Sequence, residues 1–160
     1  MKRGSTLFLR AVILLLAVGV LALCIFALPS IYSGGVEEYP MAARSFLVII
    51  TVLYATTIPF FIAAWQAFKL LNYIDHKKAF SDLSVKALKN IKYCAIVIMV
   101  LYLVNVPYLL PIAQADDAPG LVLFGLISAC APIVVAVFAA ILERLLKDAI
   151  TIKAENDLTI

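Results

Sequence analysis

SFLVIITVLYATTIPFFIAAWQAF, Ser45 to Phe68, runs without a single charge. A helix needs about 20 apolar residues to cross the hydrocarbon core of a bilayer. This stretch is long enough, at 24 residues. Three similar uncharged runs surround it: Ala11–Leu28, Tyr93–Gln114 and Gly120–Leu142. The pieces left between and beyond them are short, and no room remains for a separate soluble domain. The composition agrees, with 65% apolar and 14% charged residues and a mean hydropathy of +1.08. A water-soluble domain is roughly half apolar and a quarter charged. Residues 1–160 are therefore expected to form one all-α, integral membrane four-helix bundle with spans at about 11–28, 45–68, 93–114 and 120–142. A soluble enzyme, a disordered chain, a disulfide scaffold and direct nucleic-acid binding are excluded as readings.

Met1-Lys2-Arg3 followed by an apolar run also describes a signal peptide. The run is longer than a typical signal core of about 7–15 residues, and no clean A-x-A site follows it. Leu23 is too large for the position before the cysteine of a lipoprotein box. The first span reads as a retained anchor.

Lys and Arg of short loops stay on the cytoplasmic side. With both termini and the central connection inside, every Lys and Arg except Arg44 lies inside. The expected location is a bacterial cell membrane, multi-pass, with both termini cytoplasmic. The outer connections are acidic, with Glu37, Glu38, Asp116 and Asp117. Trp65, Tyr73, Tyr32 and Tyr39 fit interfacial aromatic belts.

Around the spans, the cytoplasmic loop 69–92 and the cytoplasmic tail 143–160 carry helical patterns. Ala79-Phe80-Ser81-Asp82 reads as a helix start, with Ser81 as N-cap. Beyond it Leu83, Ala87, Leu88 and Ile91 sort to one face, and Lys86, Lys89 and Lys92 to the other. Those lysines are contacts either for anionic lipid head groups or for a protein partner. In the tail, Leu142, Leu145, Leu146, Ala149, Ile150 and Ile152 share a face, so the fourth helix should run on into the cytoplasm by about three turns. Glu155, Asn156, Asp157, Leu158 and Ile160 close the chain either as a frayed end or as a docking segment. Asp116 and Asp117 precede Pro119, where acids complement the positive end of a helix. A divalent-cation site would need more oxygens than this turn supplies.

No Asp, Glu, Lys, Arg or His lies within the four runs. An intramembrane charge is the usual mark of a proton relay or ion pathway, which argues against a proton-coupled transporter. Asn105, before Pro107 and Pro111, reads as part of a kink whose freed carbonyls neighbours satisfy, with a binding pocket as the alternative. Cys24, Cys94 and Cys130 all fall within spans, so small-residue packing is expected rather than a disulfide. His76 stands alone, which leaves no metal site. No catalytic motif is present, and neither enzyme activity nor a cofactor is expected.

Three blocks carry a resemblance. They are Ile74-Asp75 with Ala79-Phe80-Ser81 and Ser84–Ile91, then Asp116-Asp117-Ala118-Pro119-Gly120, then Ala154-Glu155-Asn156-Asp157-Leu158-Thr159-Ile160. Together they resemble the domain of unknown function 2975 family, small four-span membrane proteins mostly of Gram-positive bacteria. The terminal Ile, where Val is common, is a mild departure. Members are often encoded beside a small Cro/CI-type helix-turn-helix regulator. The resemblance implies a regulatory or sensory partner of a small cytoplasmic transcription factor. The alternative is a subunit of an oligomeric transporter or channel. The lipid bilayer, a small helix-turn-helix regulator and a second copy of the chain are the expected partners.

Overall fold

The computed structural model describes residues 3–159, with only the backbone at Arg3. Four of its helical rods are long and apolar enough to cross a membrane, and no strand occurs among the described residues. The first rod is α1 (Arg3–Ala22), a π turn (Leu23–Ala27) and α2 (Leu28–Glu38) in unbroken succession. A 3-10 turn at Pro40–Ala42 leads into α3 (Ala43–Asp75). Helices α4 (Asp82–Ala115) and α5 (Gly120–Leu158) complete the bundle. Large apolar side chains stand exposed along every rod, among them Leu15, Ile62, Val100 and Phe138. In water that surface would be untenable, and it is the surface that a bilayer solvates. The protein is a membrane protein in contact with lipid.

The first rod departs from expectation. The sequence suggests a span ending at about Leu28 and a connection after it, and Pro29, which has no N–H and whose ring clashes with the carbonyl four residues back, would be expected to interrupt an ordinary α-helix. The chain instead widens by one residue. The Leu28 N–H bonds to the Leu23 carbonyl five residues earlier, in π register. In that register Pro29 is the residue that should serve the Cys24 carbonyl, and it has no donor. The Tyr54 hydroxyl, from α3, donates to that carbonyl at 2.7 Å. Ser30 and Ser33 hydroxyls donate to the Phe26 and Pro29 carbonyls at 2.8 and 3.1 Å. With the Cys24 carbonyl served by Tyr54, the helix continues past the proline to Glu38.

Packing is uneven. Helix α4 lies along both α3 and α5, whereas α1 packs on α3 and has little contact with α4 or α5. At the acidic end, Ala42, Phe46 and Ile112 form a buried cluster with Val36, Tyr39 and Leu121 around it. Gly35 lies directly against the Phe46 ring, which leaves no space for a Cβ there. Asn105 is buried and donates to the Ile49 carbonyl at 3.4 Å, while its own Oδ1 has no partner. It joins α4 to α3.

Candidate functional site

The basic end of the bundle gathers the residues with chemistry. It consists of the last turns of α3, the connection 76–81, the first turns of α4 and the last third of α5. Ser81 has extended backbone at the N-cap position, as expected, but its hydroxyl does not cap the helix. It donates instead to the Lys78 carbonyl at 2.7 Å, and the fully buried Ser84 hydroxyl reaches the same carbonyl at 3.3 Å. The two serines knot the connection, and Lys77 takes the left-handed conformation (φ 57°) that the sharp reversal requires. As a result Ser84, Val85, Ala87 and Leu88 form the buried face of α4, and Leu83 is turned outward.

Two ion clusters tie the helices here. Glu143, at the point where the apolar run of α5 ends, is 5% exposed. Its Oε2 accepts from Lys92 Nζ and its Oε1 from Lys147 Nζ, both at 2.7 Å. A buried carboxylate with one partner would carry a large desolvation cost, and the second ammonium offsets part of it. This corrects the expected placement of Lys92. It does not join Lys86 and Lys89 on a free lysine face; it turns into the α4–α5 interface because Glu143 waits there. Lys86 and Lys89 are exposed, and Lys89 lies over the Tyr93 ring at 6.0 Å. In the second cluster the Arg10 guanidinium reaches from α1 to α3. It bonds to Asp75 Oδ2 at 2.7 Å and Asn72 Oδ1 at 3.3 Å, and it stacks 5.4 Å from the centre of the Phe68 ring.

Beside these clusters lies an apolar groove of about 460 Å³. Leu70 and Ile74 of α3, Phe80 of the connection, Leu88 of α4, and Leu145 and Ala149 of α5 line it. Phe80 and Leu145 are each 59% exposed at its rim. From there α5 runs on alone. Glu155 stands twelve residues beyond Glu143, which is roughly 18 Å along the helix axis. Helix α4 begins only ten residues before Lys92, which is roughly 15 Å. The tip of α5 thus projects past the bundle with Glu155, Asn156 and Asp157 exposed and Leu158 at 87% exposure. No hydrogen bond or ion pair among the described residues joins this tip to Lys86 or Lys89. Ile160 lies outside the described residues.

At the opposite end the two acids stand elsewhere than expected. Asp116 is the C-cap of α4 rather than a first-turn residue of α5, which starts at Gly120. Its Oδ1 accepts from the Tyr39 hydroxyl at 2.6 Å, linking the connection after α2 to the connection after α4. That hydrogen bond, with some desolvation and the nearby carboxylate charges, pushes the Tyr39 phenol from 10.0 up to about 12. Asp117 takes the left-handed conformation (φ 49°) in the turn. No group of three or more metal-binding side chains occurs among the described residues.

The model of a protein family described as "Protein of unknown function (DUF2975)" matches residues 31–160. The chain belongs to the DUF2975 family. It is also 50% identical, over the full length of both chains, to the "Uncharacterized membrane protein YoaS" of Bacillus subtilis (strain 168). No solved structure matches it. The family match takes in α3, α4, α5 and part of α2, and with them the ion clusters' α3–α5 partners, the groove and the projecting tip.

Proposed function

We propose that this DUF2975 protein is a regulatory or sensory partner of a small cytoplasmic transcription factor, which it holds at the basic end of the bundle. The reading rests on the projecting tip of α5, an acidic segment ending in an exposed Leu158, which runs on from the helix that walls an apolar groove as far as Ala149. A DNA-binding regulator has a basic surface for phosphates. Glu155 and Asp157 would steer that surface, and Leu158 with the groove would anchor an apolar patch. A regulator held by its basic surface is withdrawn from DNA, so docking is also the regulatory act. The side of the membrane follows from the distribution of basic residues, with both termini and the groove in the cytoplasm.

The test compares the full chain with a 1–154 form by co-purification in mild detergent, alongside expression of the protein's own operon. Residues beyond 154 lie outside every apolar run, so both forms should reach the membrane equally. The proposal predicts that the shorter form loses the co-purifying regulator and that operon expression changes. Equal recovery of the partner and unchanged expression, at equal membrane levels, would remove the tip from the mechanism.

A further inference from the structure

A second apolar cavity, separate from the groove, lies within the bundle between α1 and the faces of α3, α4 and α5. Its volume is about 450 Å³, within the range of small-ligand sites. Alanines hold it open: Ala64 and Ala67 of α3, Ala95 of α4 and Ala131 of α5 face Ile13 and Leu16 of α1. Small residues in membrane helices normally let backbones approach. Here α1 packs mainly on α3 and has little contact with α5, so the space left by the alanines is not closed on that side. Among the described residues that line it, Tyr102 alone has a polar side chain.

The depth of the cavity identifies its occupant. Along α4 the wall runs from Ile91, beside the Lys92–Glu143 pair, to Tyr102. That stretch of helix rises roughly 16 Å, about half of a ~30 Å hydrocarbon core. The cavity therefore spans one leaflet, that of the basic end, from the level of the ion pairs to near the midplane. An apolar slot of this length, parallel to the helices and not closed between α1 and α5, matches a single extended acyl chain.

We propose that this cavity binds one acyl chain of the leaflet at the basic end. The chain enters between α1 and α5 and ends against Tyr102. A phospholipid and a free fatty acid both supply that chemistry, and the experiment separates them.

The full-length protein in lipid nanodiscs is irradiated with a palmitic acid carrying a mid-chain diazirine. In a second arm it is irradiated with a phosphatidylglycerol carrying the same chain, and labelled residues are mapped by mass spectrometry. The expected result is label on Ile98, Tyr102 and Val135 above that on the lipid-facing Phe124 and Phe138, and displaced by excess unlabelled lipid of the same kind. Label from one arm or both supports the site and names the source. The A95L/A131L variant should lose the cavity label and keep that on Phe138. If that variant does not fold, the competition alone decides. Cavity label that merely equals the Phe138 label, or that excess unlabelled lipid does not displace, overturns the proposal.

Discussion

Glu143 is 5% exposed and holds two lysines from different distances along the chain, one on α4 and one a turn away on α5. The two contacts are unequal. The Lys147 side chain is 56% exposed. Its i,i+4 pair with Glu143 is of a kind worth about 0.3–0.5 kcal/mol. Removing the carboxylate instead leaves the Lys92 ammonium, 23% exposed, without its charged acceptor against an apolar interface. Losing a hydrogen-bond partner at a buried position costs more than losing an exposed pair. Glu143→Gln should therefore lower the midpoint of thermal unfolding in detergent clearly more than Lys147→Met, and the reverse order would contradict the geometry. At the other end, the Tyr39–Asp116 hydrogen bond needs the phenol proton. Since the folded-state value lies above 10.0, the bond is intact below that pH and is lost as pH rises through about 12. Asp116→Asn should return one tyrosine of the seven to an ordinary titration, visible in tyrosinate absorbance. An unchanged titration curve would show that the contact does not persist in solution. Glu143 was open to a reading from sequence as an acid ending an uncharged run with a lysine four residues on. Its bond to Lys92, 51 residues away, has no local signal.

The helices were legible to differing degrees, for physical reasons. Four uncharged runs, the start of α4 at Ser81-Asp82 and the extension of α5 all follow from local pattern, and the structure has them. The passage of the first rod through Pro29 does not. It depends on Tyr54, thirty residues away, donating to a carbonyl that the proline leaves without a partner. That dependence can be measured. Tyr54→Phe alone should destabilise the protein by about 0.5–1.5 kcal/mol. In a Pro29→Ala background the helix can supply its own N–H, and the same substitution should be nearly neutral. A thermal double-mutant cycle in detergent reads the coupling, and additive effects would contradict this account of the π turn. The faces of α4 were half legible. Lys86 and Lys89 point outward, but Leu83 and Lys92 exchange the roles that periodicity assigns, because the Ser81–Ser84 knot and Glu143 set the rotation.

At the scale of the molecule, α4 packs along both α3 and α5, and the first rod is held to α3 at separate points. These are Arg10 on Asp75, Tyr54 on Cys24 and Phe46 against Gly35. The groove, the projecting tip and both ion clusters lie at one end, and the docking proposal needs that end in the cytoplasm. One measurement tests this most directly. Cys24, Cys94 and Cys130 are replaced by Ser, and a single cysteine is placed either at the fully exposed Met41 or at the exposed Lys78. Intact cells are then treated with a membrane-impermeant maleimide. The account predicts labelling at position 41 and none at position 78 until the cells are opened. Labelling at 78 but not at 41 would place the groove and the tip of α5 outside the cell, and would contradict it.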